Sequence, residues 1–376
     1  MRTPICDLLG IEFPIFAFSH CRDVVAAVSR AGGFGVLGAI AFDPEELEIE
    51  LSWIDEHVDG KPYGVDLVMP AKYLGQGGGA EASTAHMVSL IPQTHLDFVE
   101  ALLAEHGVPE LPDDIPQGHL VAPGLGVDEE GPKHVEVALN HPTRLLVNAL
   151  GSPPQYVIDL AHERGVLVGA LAGTVQHAER HVVKGVDIVI AVGTEAGGHT
   201  GEIGTMVLVA EVCAALGPDI PVLAAGGIGS GRQITAALAL GAQGVWMGSY
   251  WLTVAEADCN PAVLENLLEA TSSDTVRSRI ISGKPARLLS NNAWAQAWER
   301  PGAPEPLPMP LQGMLWNIAH RRIYRANNKA LSAYPVGQIV GQMNSVRPVR
   351  DVMFDLVDDA ITSSERITRL FATDGP

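Results

Sequence analysis

One histidine, His199, lies in the run GTEAGGHTGEIGT (193–205), among five glycines and two acids. Imidazole is suited to moving a proton near neutral pH. Gly197 and Gly198 remove side chains where a flat ligand could lie against the backbone, and Glu195 and Glu202 are candidates to orient the ring. A second chemistry-bearing pair of segments is AAGGIGSGRQ (224–233) and WMGSYW (246–251). Gly226, Gly227 and Gly229 let a backbone approach an anion closely, and Gly248 with Ser249 adds an N–H and a hydroxyl. Backbone N–H groups at such turns bind phosphate, so this pair points to a phosphorylated cofactor or substrate. Metal chemistry is not expected. The four cysteines (Cys6, Cys21, Cys213, Cys259) are far apart with no CxxC, there is no HExxH, and His177 and His181 read as a solvated pair on a helix surface.

These residues need elements to hold them. Short apolar runs recur at 13–18, 34–40, 62–68, 144–150, 166–171, 186–192, 221–226 and 244–248, with helical material between them that mostly ends in glycine. Nearly continuous apolar strands alternating with helices describe a parallel sheet covered on both faces. Eight such strands close a (β/α)8 TIM barrel, in which the last two strand ends form a standing phosphate site. A doubly wound dinucleotide fold would carry GxGxxG after its first strand. Here FPIFAF is followed by SHCRD, without glycine.

Residues 69–143 form a long insertion after strand three, with QGGGAEAS as a candidate for disorder and TAHMVSLIPQTHLDFVEALLAEHG as one helix. The barrel is expected over 1–255. The remainder, 256–376, reads as an appended, mostly helical C-terminal region packing on it, including ADCNPAVLENLLEATSSDTVRSRI as helix. Late tryptophans are expected mostly in the core, with one or two lining the mouth.

The chain has 376 residues, 47% hydrophobic, and a net charge of −20, which argues against nucleic acid or an anionic membrane as partner. No segment has the length and apolarity of a membrane span and no secretory signal is evident. A cytoplasmic protein is expected, and the apolar helical tail is compatible with a homodimer.

GTEAGGHTG, AAGGIGSGRQITAALALGAQGVWMGS and the opening GIEFPIFAF…VAAVSRAGGFGVLGA together resemble the nitronate monooxygenase family, formerly called 2-nitropropane dioxygenases. They are also similar to the related flavin-dependent enoyl reductases of bacterial fatty-acid synthesis. The resemblance covers residues 4–290 apart from the insertion, and extends to SGKPAR (282–287), like the family's turn after the barrel. It implies a TIM barrel holding FMN, with Gly226, Gly227, Gly248 and Ser249 at the phosphate and Gly197 and Gly198 beside the isoalloxazine. It implies that His199 is the base that acts on nitroalkanes. Ala17 stands where the family commonly has a glutamine near the flavin, and Asp66 where it has an asparagine near the ring. Tyr250 replaces an arginine near the phosphate. His20 is a candidate cationic neighbour for Asp66.

The expected function is FMN-dependent oxidation of nitronates or nitroalkanes by dioxygen to a carbonyl and nitrite. The alternative is an NAD(P)H-dependent reductase of an enoyl thioester or other activated double bond, favoured by the extra material around the mouth. A third reading is a non-enzymatic protein that binds flavin or a phosphorylated metabolite.

Overall fold

The computed structural model describes residues 1–69, 84–112 and 130–372. QGGGAEAS (76–83) and residues 113–129 of the insertion lie outside them.

Eight parallel strands close a barrel: β1 (Ile15–Ser19), β2 (Phe34–Gly38), β3 (Tyr63–Leu67), β4 (Leu145–Asn148), β5 (Leu167–Ala172), β6 (Ile188–Val192), β8 (Val222–Ala225) and β9 (Gly244–Met247). The two-residue strand β7 (Gly198–His199) lies outside the barrel. It joins β10 (Thr275–Ser278) and β11 (Ala286–Leu289) in a small sheet of order β10-β11-β7. All eight barrel strands fall on the expected apolar runs. They are buried on both faces: Phe16, Val36, Val147, Ile190 and Leu223 fill the barrel, while Val65, Val168, Val189 and Ala224 face the helices outside.

The helices are α1 (Pro4–Leu9), α2 (Arg22–Arg30), α3 (Pro44–His57), α4 (Thr84–Ser89), α5 (Gln93–Glu105), α6 (Glu130–Asn140), α7 (Gln155–Glu163), α8 (Val175–Val183), α9 (Thr205–Leu216), α10 (Gly231–Ala239), α11 (Pro261–Glu269), α12 (Ala293–Trp298), α13 (Leu311–Arg325) and α14 (Val349–Phe371). Ile5, Cys6 and Leu9 of α1 pack into the barrel's interior core beneath Phe16 and Phe34. The N-terminal end of the barrel is thereby plugged, and the mouth at the strands' C-terminal ends is left for a ligand. The α14 helix docks outside, with Val352, Met353 and Leu356 in the core shared with α2 and α10. Gly231 permits this close approach, since a Cβ there would lie 2.2 Å from the Ala360 nitrogen.

Two segments depart from expectation. The insertion helix is broken in two at Leu90–Pro92, because proline disfavours helical backbone in the residue before it. Within ADCNPAVLENLLEATSSDTVRSRI the helix ends at Glu269, and TVRS pairs with ARLL as an antiparallel hairpin.

Insertion and tail share one hydrophobic core. Met87, Ile91, Val99 and Leu103 pack with Leu288, Trp294, Trp298 and Trp316. Trp246 and Trp251 are buried as well, in the barrel interior and beneath the outer helices. Arg322 of α13, nearly buried, fastens the two pieces. It donates to both Glu100 carboxylate oxygens (2.7 and 2.8 Å) and to the Pro109 and Val108 carbonyls (2.9 and 3.3 Å). Replacing Arg322 with Ala should lower the midpoint of chemical unfolding by an amount equivalent to about 1–3 kcal/mol, the range for charge-assisted hydrogen bonds left without a partner. Glu100 is half exposed, which limits its share. Urea unfolding followed by tryptophan fluorescence reads this directly, since three of the tryptophans belong to that core. An unchanged midpoint would contradict the fastening role.

Candidate active site

His199 leaves the mouth of the barrel on a loop that is held by the hairpin. Strand β11 pairs antiparallel with β7, Ala286 opposite His199 and Arg287 opposite Gly198. Two guanidinium groups grip the loop's carbonyls: Arg287 donates to Thr194 (2.8 Å) and Arg277 to Thr200 (3.2 and 3.3 Å). The ring itself meets Ser282 in the hairpin turn, with Nε2 2.7 Å from Oγ. Neither acid orients it. Glu195 turns back to the start of α9, accepting from the Thr205 N–H (2.9 Å) and Oγ (2.8 Å). Glu202 is 85% exposed and reaches Arg277 at 3.4 Å.

The Ser282 turn favours one tautomer of the imidazole. Ser282 Oγ accepts from the Lys284 N–H (3.3 Å) and lies 3.2 Å from the Lys284 carbonyl. With the imidazole proton on Nε2, that proton goes to Oγ and the serine proton goes to the carbonyl. The Lys284 carbonyl then has its donor, and Nδ1 is left as a base. His199 faces the open mouth, yet enough protein surrounds it for desolvation to lower its pKa, with the positive Lys284 acting in the same direction. The ring is therefore held neutral near pH 7.

The glycine loops after β8 and β9 come next around the rim, because β8 pairs with β6 and β9 with β8. Gly226 and Gly227 take φ of +100° and +68°, conformations that residues with a Cβ rarely adopt. Among the described residues nothing accepts from the amides of Gly227, Ile228 or Ser249. Ser249 Oγ accepts from the Gly337 N–H (2.8 Å), so its own proton remains to be donated. A Cβ on Gly248 would meet nothing closer than Phe18 at 3.6 Å. The tail thus contributes to this wall. Gly337 packs against Ser249 and against Gly197, whose Cβ would come within 2.8 Å of the Val336–Gly337 backbone. That contact accounts for glycine at 197. Gly198, at φ +76°, faces open space.

Strand alternation decides the next two residues. Phe16 and Phe18 face the barrel interior, so the methyl of Ala17 points outward into the core with Val24 and Val28. Ala17, expected at a cofactor, does not present its side chain to the mouth. Tyr63, Val65 and Leu67 face outward, which leaves Asp66 inward, in register with Gly38 and Val147. Asp66 is buried and its Oδ1 has no hydrogen-bond partner. His20 does not pair with it. Its Nδ1–H is donated to the Gly38 carbonyl (2.7 Å), and burial lowers its pKa. Asn148, fully buried, holds the neighbouring turn by donating to the Met69 and Gly151 carbonyls (3.2 and 3.1 Å).

His181, expected on a solvated helix face, is buried between the Ser152 hydroxyl (2.8 Å) and the Leu171 carbonyl (3.0 Å). It pins α8 to the loop after β4. Sequence reasoning missed Ser282, Arg277, Arg287 and Gly337. The SGKPAR segment pointed to the first and third of these, while Arg277 and Gly337 act through tertiary contacts with no local signature.

Residues 2–359 match the family model described as nitronate monooxygenase. A putative monooxygenase of Mycobacterium tuberculosis is 54% identical over 96% of this chain and 97% of its own length. A probable nitronate monooxygenase of Staphylococcus saprophyticus is 31% identical over 77% of this chain and 79% of its own. Among solved structures, a nitroalkane oxidase from Streptomyces ansochromogenes superposes with a TM-score of 0.79 at 26% identity, covering 96% of this chain and 99% of that one. FabK from Thermotoga maritima gives 0.73 at 27% identity, over 99% of this chain and 100% of that one. With a closed barrel that brings an imidazole and two glycine-rich loops to one end, and with matches of this extent, the chain belongs to the nitronate monooxygenase family of flavin-dependent oxidoreductases.

Proposed function

We propose that the chain binds FMN and oxidises nitronates and nitroalkanes with dioxygen, the nitro-bearing carbon becoming a carbonyl and nitrite departing. The observation that carries this reading is the neutral imidazole of His199, held through Nε2 by Ser282 with Nδ1 free at the mouth. A C–H next to a nitro group is acidic enough for such a base to remove its proton. The residues present fit the cofactor. Unaccepted amides at Gly227 and Ser249 and the free hydroxyl proton of Ser249 suit a phosphate, with Gly248 leaving room beside them, while glycine at 226 lets this loop pack closely on Thr205 and Ala196. Gly197, Gly198 and Asp66 would border the ring system. Bound FMN supplies the electron transfer to oxygen that no side chain can perform.

In this reading His199 Nδ1 takes the α-proton and the imidazolium then stands beside the developing nitronate. Arg277 and Arg287 keep the loop in place, and the positive Lys284 favours an anionic substrate at the same point. A nitronate already formed needs only this electrostatic support. Oxygen uptake with nitrite release on adding a nitronate tests the assignment. NAD(P)H consumption with an enoyl thioester and no nitronate activity would instead favour the reductase. One feature supports that second reading: the core shared by insertion and tail takes in Ile280 and Leu288 of the hairpin, adding material beside the histidine loop of the kind a long substrate would need.

Ser282→Ala should reduce kcat with a nitroalkane roughly five- to tenfold, the worth of one orienting hydrogen bond, with KM nearly unchanged. Ser282→Thr, which restores the hydroxyl, should recover most of the loss. Equal activity of the alanine variant and the wild type would remove Ser282 from the mechanism.

A further inference from the structure

Asp66 poses a problem of charge. It lies on the inner face of β3 in the last layer below the mouth, beside Gly38 on β2 and Val147 on β4, and it is 4% exposed. Its partners in the barrel, Gly38 and Val147, offer no polar side chain, and the interior core to which Val147 belongs is apolar throughout. A buried carboxylate needs a cation or several donors, and the described residues around it provide neither. From the β1–β2 side the titratable group is His20, whose Nδ1–H is committed to the Gly38 carbonyl and which burial keeps neutral. From β4 come Val147, which has no polar side chain, and Asn148, whose amide protons go to Met69 and Gly151. The Ala149 N–H favours ionisation but already serves the Leu67 carbonyl. Desolvation outweighs it and raises the Asp66 pKa well above the ordinary carboxylate value.

A protonated carboxyl has the opposite requirement, because its O–H needs an acceptor. Among the described residues Oδ1 meets none, and a ligand at the mouth would bring one. We propose that Asp66 is a neutral carboxylic acid that donates its O–H to the flavin ring system, acting there as an amide would. This rests on the FMN reading above, and it makes Asp66 a cofactor-positioning residue whose proton belongs to the folded state. Stability linked to that proton is complete below the ordinary aspartate value and is lost as pH rises through the raised value in the fold.

Three chains test it: wild type, Asp66→Asn and Asp66→Leu. Infrared difference spectra, wild type minus Asp66→Asn at pH 7, should show the carbonyl band of a protonated carboxyl, with and without FMN. FMN titration should give an Asn variant within about twofold of wild type and a Leu variant weakened roughly five- to tenfold, the loss of one hydrogen bond. The flavin-free Leu variant should melt no lower than wild type, since it removes a buried unpaired polar group, so its weaker binding cannot come from misfolding. A carboxylate band, or a Leu variant that binds FMN as tightly as wild type, overturns this assignment alone. Failure of the wild-type chain to take up FMN overturns it together with the reading on which it rests, and the infrared band then still reports the charge of Asp66.

Discussion

His199→Ala is expected to slow turnover of a neutral nitroalkane roughly 10²- to 10⁴-fold, the usual contribution of a positioned general base. The same variant should lose far less with a preformed nitronate, where no C–H bond has to break. That split separates a base from a residue that only shapes the mouth, because a shape defect would slow both substrates alike. The pH profile adds a second reading. Desolvation first, and Lys284 second, lower the pKa of His199 below its ordinary 6.5, so the wild-type rate with a nitroalkane should already have reached its plateau at pH 7. The acid limb lies lower, where the ring becomes protonated and loses its basic Nδ1. Lys284→Met removes the positive neighbour and should move that limb upward, with the plateau little changed. A limb that stays in place would mean that desolvation alone sets the pKa. If His199→Ala retained activity on neutral nitroalkanes, the proposed chemistry would fail outright, whatever the flavin content.

Strands were the easiest part of this fold to read. Runs such as VDIVIAV and RLLVNAL are apolar at every position because the barrel buries both faces of each strand, and eight of them at regular spacing leave few closed arrangements. The small sheet was invisible for the opposite reason. TVRS is half-buried along its length, and β7 is only a glycine and a histidine. Its pairing is a tertiary fact, made by β11 reaching across 87 residues to His199 (Ala286 opposite His199). Composition marked Pro92 as proline, but a hydrophobic pattern continuing on both sides of it masked the break. At the site, glycine content singled out both loops, and the histidine stood out because it is set among glycines. Its orienting partner did not. Glu195 and Glu202 are nearest in sequence, yet their carboxylates are committed to Thr205 and Arg277, and the partner arrives from position 282. Strand parity, which sends every second side chain outward, turns the Ala17 methyl away from the mouth. That same parity brings Asp66 inward, where its burial could not have been read from GVD.

Gly193→Ala should be the most damaging conservative change near the site, and through folding more than chemistry. A Cβ at 193 would lie 2.0 Å from Thr205 Oγ1 and 2.5 Å from the Thr205 nitrogen and Cα. The clash is with the first residue of α9, part of it backbone, so no rotamer change relieves it. Thr205 is also the anchor of the histidine loop, bound to Glu195 through N–H and hydroxyl, and its Oγ1 lies 3.0 Å from the Gly226 carbonyl. Displacing it therefore disturbs the histidine loop and the glycine cradle together. Overpacking of this kind costs about 1–3 kcal/mol or more, so the melting temperature and the FMN content should fall together. Gly198→Ala provides the contrast. A Cβ there meets nothing within 4 Å, and the penalty is the left-handed backbone at φ +76°, roughly 1–2 kcal/mol. Its methyl projects beside His199 into the space a substrate would use, so activity should fall well before FMN is lost. If the two variants lost FMN and activity in the same proportion, the loop would be acting as a single rigid unit, and the division between a packing glycine at 193 and a space-giving one at 198 would have to be abandoned.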